Sequence, residues 1–569
     1  MQITPIENEL RMEGQQPCPH WNWLNNSYGA GQEFWQSFKE AADEIFPVKT
    51  TSTLFKRYNF YHDLILRNIN NSNPAFIFYE GKSGLKNLSY QELHERASAK
   101  AALWKAQGVE NKKTVCVIRT TGVELMIELA AALQIGCRIA FLPPQGRSYL
   151  QKRLALLEPE HISLDQRDVH LLSAALREKV LSAAGTGSNM GNEKSDYFNY
   201  APDRPVFAVF ASTEKLTEIN EIKSNAVYLG ALRDGLITLG LGPGRSYAAP
   251  GFDFLETCPG IFLAGFMCGA TYLHLTAQDI KENPQLVTAV KIHAFGVSRT
   301  VRDILSAAPV NADGVWQTWF RNPAASADMD AWHLFSRRLN LLNSYSFNLR
   351  WSAAGCNLFS VRRKGTAHAG VLPAFGSNWQ LSDPSGTGEK SLSDFGILSI
   401  LPPGASIEEE KKQTGDMIAA KGGEWLFLGV RYLNREGRFY PAAEILEVLT
   451  RMKRSIYFSL VKIPQADSSG GFLIVLLAFY GDEKDFAKER AAVDIRKIIG
   501  SELAEEDQPD KIDFFPLYPR FSADGTLDHD WCRTEYSTGR LQKKAKDKIY
   551  LNVTKMRKYL IKRSILTTN

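Results

Sequence analysis

Two glycine-rich stretches are the first candidates for chemistry, because closely spaced glycines let backbone N–H groups approach a phosphate. They are Gly185-Thr-Gly-Ser-Asn-Met-Gly191 and Gly240-Leu-Gly-Pro-Gly244. The first follows a predicted helix over 171–184 and leads into polar residues, whereas a dinucleotide loop follows a strand and opens a helix. We interpret it as a flexible linker, and the second stretch has the same weakness. Neither predicts a phosphate site.

Metal and nucleophile sites have no better support. The seven cysteines are scattered without a CxxC pair, and the ten histidines show no ligand spacing. No Gly-x-Ser-x-Gly elbow accompanies a histidine, so a hydrolase triad is not indicated. We therefore expect reduced core cysteines and no metal.

The positive charge of the chain is concentrated at its C-terminal end. The formal net charge is +5, but nine basic residues and one acid lie between Leu541 and Asn569, so this tail carries +8 and the rest −3. Nucleic-acid binding by the body is disfavoured. Within the tail, an apolar stripe at helical spacing is formed by Ile549, Val553, Met556 and Leu560. The tail could dock a partner, pack on its own body, or contact an anionic membrane or RNA.

The elements that must position any site alternate between strand and helix. Strand 114–118, helix 123–133 and strand 138–142 predict a βαβ unit and an α/β class. A second unit is predicted over 206–275, opening with strand 206–210 and helix 225–239.

Further along, short strands predominate. Residues 340–430 predict strands separated by turns at Gly370, Asp383-Pro384 and Pro402-Pro403-Gly404. After Gly429 the pattern predicts a compact α/β segment, with helix 443–454, strands 456–461 and 472–480, helix 486–499 and strand 511–515. The expected layout is an N-terminal extension (1–50), a large lobe (51–430), a small C-terminal lobe (431–540) and the basic tail (541–569).

Several short motifs occur in a recognisable order between residues 50 and 540. They are Pro143-Pro144 with Arg147 and Arg153, Asn343-Ser-Tyr345, Thr414-Gly415-Asp416, Phe427-Leu428-Gly429, and Gly437 to Pro441 followed by Glu444-Ile445. This order resembles the adenylate-forming (AMP-binding) superfamily of acyl-CoA synthetases, nonribosomal adenylation domains and luciferases, and fatty acyl-AMP ligases look most similar. The resemblance implies a large N-terminal lobe of βαβ-type sheets with a small β-rich subdomain, then a small, mobile α+β C-terminal lobe.

The resemblance places the ATP loop directly after strand 207–210. Ser212 and Thr213 begin this loop as in the family, where glycines, hydroxyls and a lysine hold the phosphates. Here the continuation to Glu221 contains no glycine and carries three glutamates, which would repel a polyphosphate. The sequence therefore predicts that ATP phosphates are not bound here.

Two further functional residues of the family, a metal-binding glutamate and a catalytic lysine, are replaced in this sequence. The position of the metal-binding glutamate is occupied by Leu349, which cannot ligate a hard cation. Thr526 stands at the position of the catalytic lysine, and a neutral hydroxyl cannot replace a charge-assisted contact. Arg520, six residues away, is the nearest alternative cation.

Other positions match the nucleotide site of the family. By resemblance, Tyr345 would stack near adenine and Asp416 would accept the ribose hydroxyls, although Asp416 could equally be a turn or helix-cap carboxylate. Arg431 is a weaker match, because Val430 occupies the arginine slot after Phe-Leu-Gly. The nucleotide-binding remnants are thus Ser212, Thr213, Tyr345, Asp416 and Arg431.

These substitutions favour a catalytically degenerate ligase-like protein over a working enzyme. We expect an accessory or scaffold in carrier-protein-dependent polyketide or lipid biosynthesis, binding an acyl carrier protein, its phosphopantetheinyl transferase, or both. The expected docking residues are Lys543, Lys544, Lys546, Lys548, Lys555, Arg557 and Lys558.

Two alternatives remain open. One is an active but divergent ATP-dependent acyl-CoA or acyl-carrier-protein ligase, and the other is an acyl-transfer enzyme that keeps only the thioester half of the chemistry. No cofactor is expected in the degenerate protein, whereas the family uses ATP and magnesium. The polar N-terminus and the absence of a long apolar run predict a cytoplasmic protein without a membrane span.

Overall fold

The structure is a computed structural model of the 569-residue chain. It describes residues 27–28, 31–182, 197–210, 219–252, 258–323, 329–352, 355–365, 367–382, 395–405, 411–421, 424–430, 434–435, 438–450, 452, 456–464, 472–481, 486–521, 527–547 and 550.

Helices are distributed along the whole described chain. In order they are α1 Gln32–Ile45, α2 Phe60–Leu64, α3 Tyr90–Ala106, α4 Val123–Ile135, α5 Arg147–Leu157, α6 Ala174–Arg177, α7 Ser224–Arg233, α8 Cys258–Met267, α9 Ala277–Glu282, α10 Arg299–Ala307, α11 Met329–Arg338, α12 Ala442–Thr450, α13 Lys488–Glu502, α14 His529–Ser537 and α15 Arg540–Lys544. A π-helical turn, Asp234–Thr238, continues α7.

Strands alternate with these helices and then dominate the middle of the chain. They are β1 Phe76–Tyr79, β2 Leu85–Leu88, β3 Thr114–Ile118, β4 Arg138–Leu142, β5 His161–Leu164, β6 Pro205–Phe210, β7 Ile219–Lys223, β8 Ser246–Ala248, β9 Thr271–His274, β10 Ile292–Gly296, β11 Trp316–Arg321, β12 Tyr345–Ser352, β13 Gly355–Phe359, β14 Arg363–Lys364, β15 Gly370–Pro373, β16 Asn378–Ser382, β17 Phe395–Leu401, β18 Lys412–Lys421, β19 Glu424–Val430, β20 Asn434–Arg435, β21 Arg438–Phe439, β22 Tyr457–Pro464, β23 Phe472–Phe479 and β24 Lys511–Phe515.

The first predicted βαβ unit forms the centre of a five-stranded sheet with the order β5-β3-β4-β6-β7. β3, β4, β5 and β6 run parallel, and all five residues of β3 are buried, as a sheet covered on both faces requires. Ahead of it, α3 is capped by Ser89, whose side chain forms a capping box with Glu92. The predicted α/β class is confirmed.

The second predicted unit divides between two sheets, so its prediction as one unit is wrong. β6 belongs to the five-stranded sheet, whereas β8 and β9 belong to a larger sheet with the order β16-β17-β18-β19-β15-β13-β12-β11-β10-β8-β9-β1-β2. The connecting helix α7 is buried on every side, which explains why apolar periodicity alone did not reveal the change of sheet.

Two local predictions are also wrong. Residues 171–182 form the end of a 3₁₀ turn and the four-residue helix α6, because Ile162 of β5 exchanges backbone hydrogen bonds with Lys179 and Leu181 and draws the chain onto the sheet edge. Gly370 begins β15, paired with Leu426 of β19, and is not a turn residue. The turn at Pro402 to Gly404 is confirmed, and Asp383-Pro384 lies outside the described residues.

The C-terminal segment follows the predicted pattern of helices and strands. β22, β23 and β24 form a three-stranded sheet, and β24 has the predicted bounds. Its helix α12 and strands share one apolar core with the five-stranded sheet, in which Ile445 and Leu476 belong to the same cluster as Ile118 and Leu142. The two sheets are thus joined by a continuous buried interface.

Candidate functional site

Strand β12 carries the positions matched to the adenine and metal residues. Tyr345 to Asn348 pair in parallel with β11, and Leu349 to Ser352 pair antiparallel with β13. Leu349 is fully buried in the main apolar core, in the same cluster as Phe320 and Phe359. The residue that the motif order matches to the metal-binding glutamate is therefore a core side chain that no solvent ion reaches.

Asp416 on β18 is fully buried and paired within the chain. Its Oδ1 accepts a hydrogen bond from Arg350 Nε at 3.1 Å, while its backbone N–H donates to Thr414 Oγ1 at 3.2 Å. Its Oδ2 is buried without a partner among the described residues. Burial raises the pKa of the Asp416 carboxyl, and Arg350 opposes that shift only in part. No oxygen of this carboxylate is exposed to receive a ribose hydroxyl.

Tyr345 is separated from this ion pair. Tyr345 and Arg350 are five residues apart on β12, a distance of roughly 17 Å along an extended strand. Since successive side chains of a strand point to opposite faces, an odd separation places Tyr345 and Arg350 on opposite faces. The structure therefore does not join Tyr345 and Asp416 in one open cleft.

The remaining nucleotide residues of the sequence analysis, Ser212, Thr213, Arg431 and Thr526, lie outside the described residues. Glu221, assigned to the phosphate loop, lies instead on β7, which pairs antiparallel with β6. Its carboxylate forms an ion pair with Arg138. The assignment of Glu221 to the loop is wrong, because residues 219–223 form a strand that extends the five-stranded sheet. Arg520, the alternative cation, lies 3.3 Å from Asp528 Oδ2.

The first residues of the basic tail pack on the three-stranded sheet. Leu541 is fully buried in a cluster with Val461 and Phe515. Lys544 lies 2.5 Å from Glu535 and over the ring of Trp531, so it serves an intramolecular contact. Lys543 and Lys546 are exposed, whereas Lys548, Lys555, Arg557 and Lys558 lie outside the described residues.

Sequence reasoning named Arg153 and Glu444 only as motif residues and missed the contact between them, which joins α5 to α12. Arg153 on α5 stacks on Tyr149, with its guanidinium carbon 3.6 Å from the ring centre, and its Nη2 lies 3.0 Å from Glu444 Oε1 on α12. Both side chains are at most 4% exposed. Beside them, Gly146 N–H donates to Leu503 O at 2.7 Å. A carboxylate flanked by apolar residues, as Glu444 is by Ala443 and Ile445, is the signal that could have indicated a buried pair.

Two solved structures share this architecture. An o-succinylbenzoate CoA synthetase from Bacillus subtilis, bound to a product analogue, superposes with a TM-score of 0.64 at 12% identity, over 83% of this chain and 98% of that one. An amide bond synthetase from Marinactinospora thermotolerans superposes with a TM-score of 0.64 at 13% identity, over 84% and 99%. The chain has the fold of adenylate-forming ligases. At this identity the likeness concerns the fold.

Sequence comparison adds nothing to that finding, since neither a protein-family profile nor a curated protein matches the chain. Within the described ranges, no three His, Cys, Asp or Glu side chains cluster as metal ligands would. Every helix in the described part of the chain is too short or too polar to cross a bilayer.

Proposed function

We propose that this protein is a ligase-fold protein that no longer forms adenylates and acts as an accessory or scaffold in carrier-protein-dependent polyketide or lipid biosynthesis. The observation that carries the proposal is the buried pair of Arg350 and Asp416. An aspartate that received ribose hydroxyls would present an exposed oxygen, whereas this one is enclosed with a guanidinium from its own chain. Leu349, packed in the core, supports the same conclusion for the metal.

The proposed partner is an acyl carrier protein, a phosphopantetheinyl transferase that modifies one, or both. Carrier proteins are typically acidic, and the exposed Lys543 and Lys546 begin a segment with a strong positive charge. Because long-range attraction between such surfaces speeds association and orients the partners, the tail is the expected docking element. Lys544 already pairs with Glu535, so it is left out of the variants that test this surface.

The loss of adenylation is tested by pyrophosphate exchange with a panel of carboxylic acids, together with thermal unfolding with and without Mg-ATP. We expect no exchange and no shift of the melting temperature. Exchange above background with any acid would instead establish the divergent ligase.

Docking is tested by measuring the binding of an acidic acyl carrier protein to the full chain. Three variants are compared: Lys543→Glu with Lys546→Glu, removal of residues 551–569, and the control Lys497→Glu on an exposed face of α13. Truncation after Tyr550 is chosen because Leu541 belongs to the core of the small lobe. We expect weaker binding in the first two variants and none of this loss in the control. If the full chain does not bind the carrier protein, the docking proposal is refuted.

A further inference from the structure

Helix α5 is part of the apolar core that the five-stranded sheet shares with the C-terminal segment, which comprises α12 to α15 and β22 to β24. Leu150, Leu154 and Leu157 of α5 belong to the same cluster as Ile118 of β3 and Ile499 of α13. Moving the C-terminal segment away from α5 would return apolar side chains of this cluster to water, which is unfavourable. The shared core therefore opposes such a movement.

Gly146, the N-cap of α5, brings two backbone segments into direct contact. Its N–H donates to Leu503 O at 2.7 Å, directly after α13. With φ at −50° and ψ at 163°, its backbone conformation is also open to residues with a side chain. A Cβ at this position would nevertheless overlap the carbonyl oxygen of Leu503 and the carbonyl carbon of Glu502. Because both are backbone atoms, any side chain at residue 146 would push the C-terminal segment away.

Polar side chains along α5 add three contacts to the same segment. Ser148 Oγ donates to a carboxylate oxygen of Glu502, and the partly exposed Lys152 forms an ion pair with Glu447 on α12. The third contact is the buried ion pair between α5 and α12 described above. Parting that pair would leave a charge in apolar surroundings without its partner, which is strongly unfavourable. All three contacts would have to break together if the C-terminal segment left α5.

We propose that these contacts, together the α5 clamp, hold the C-terminal segment in one orientation on the five-stranded sheet, and that the clamp requires glycine at residue 146. The sequence resemblance implies a mobile C-terminal lobe, whereas the clamp would keep the exposed Lys543 and Lys546 at a constant position relative to the sheet. The clamp involves neither ATP nor a carrier protein, so it stands or falls independently of the proposed function.

Carbodiimide coupling of the full chain measures the clamp with residues that the protein already has. The reagent condenses a lysine amine with a carboxylate without adding a spacer, so a Lys152–Glu447 amide forms only while the C-terminal segment lies on α5. Mass spectrometry of the joined peptides gives the yield. Two ion pairs that do not cross the clamp serve as internal references: Lys113 with Glu160 beside the five-stranded sheet, and Lys544 with Glu535 within the C-terminal segment.

In the wild type we expect the Lys152–Glu447 coupling to proceed as far as the two references. Gly146→Ala should lower this yield about fivefold or more and leave both references unchanged, because the added methyl group favours the released orientation. Gly31→Ala is the matched control. Gly31 is likewise a glycine N-cap, of α1, in extended backbone, and a Cβ there would meet no atom within 4 Å. This control should couple as the wild type does.

Two results would overturn the proposal. One is a wild-type Lys152–Glu447 yield far below both references, and the other is an unchanged yield in Gly146→Ala. Circular dichroism and the two references check that each variant is folded. If Gly146→Ala misfolds, Ser148→Ala decides: it removes only the hydrogen bond to Glu502 and should lower the Lys152–Glu447 yield about twofold. An unchanged yield in Ser148→Ala would then refute the clamp.

Discussion

The side chains of Asp416 and Gln145 both bury a polar oxygen, but only Asp416 has a charged partner. At the first, a carboxylate that sequence motifs assign to a nucleotide is enclosed and neutralised by an arginine of its own chain. At the second, the side-chain oxygen of an amide that no motif singled out is buried with no hydrogen-bond partner among the described residues. The comparison teaches that the match of a residue to a motif does not establish a binding site, because the neighbouring side chains decide whether the group is still accessible.

The largest expected effect tests whether the metal position is closed. Leu349→Glu restores the carboxylate of the family but buries a charge in the apolar core, so we expect a loss of about 5 kcal/mol in the free energy of unfolding. Leu349→Met, of similar volume, should cost less than about 1.5 kcal/mol. Denaturant titration measures both. A stable Leu349→Glu protein that binds Mg-ATP would show that the position is open after all.

The second largest effect is expected at the ion pair between Arg350 and Asp416. Asp416→Leu leaves Arg350 buried without its carboxylate and should destabilise the protein by about 3–5 kcal/mol, whereas Arg350→Met combined with Asp416→Leu should return close to wild-type stability. Denaturant unfolding of the two single variants and the double variant measures the coupling. Additive losses would mean that the two side chains do not stabilise each other.

A smaller effect is expected at the contact between α5 and α12. Glu444→Gln removes the charge opposite the buried Arg153 and should cost about 3 kcal/mol. Glu447→Gln, one turn along the same helix, removes an exposed ion pair with Lys152 and should cost at most about 1 kcal/mol. Hydrogen exchange of α5 should rise only in the first variant. Similar hydrogen exchange in the Glu444 and Glu447 variants would mean that the buried pair does not hold α5 against α12.

The smallest effect concerns pH and a buried carboxylate with the opposite shift to Asp416. Burial opposes the ionisation of Asp63, but hydrogen bonds from His62, Ser52, Thr51 and Tyr228 outweigh it and lower its pKa to about 2. Since the folded-state pKa lies below the unfolded value, this stabilisation is present above pH 4 and is lost as the pH falls toward 2, by about 2 kcal/mol. Asp416, whose pKa is raised, contributes in the opposite direction.

Urea titrations between pH 5 and 2 measure this loss. In Asp63→Asn, the free energy of unfolding should fall less steeply over that pH interval than in the wild type. If the variant loses stability with falling pH as the wild type does, other carboxylates cause the acid sensitivity.

Local patterns in the sequence were enough to predict most of the helices and strands. The apolar strand at 114–118 and the strand at 511–515 lie where they were predicted, because the local pattern of apolar side chains specifies them. The order of motifs predicted the adenylate-forming fold, which the structural comparisons confirm. The assignment of Leu349 and Thr526 to the metal and lysine positions of the family rests on the same order of motifs and stays a prediction.

Only the tertiary structure decided what lies against those residues. It separated β6 from β8 and β9, placed Glu221 on a sheet edge, and paired Arg350 with Asp416 and Arg153 with Glu444 across long stretches of chain. Such pairs depend on how the sheets curve and how the small lobe packs, which no local spacing encodes. The accessibility of a buried charge is a property of its surroundings in space, and therefore the motifs alone could not distinguish a nucleotide site from a structural ion pair.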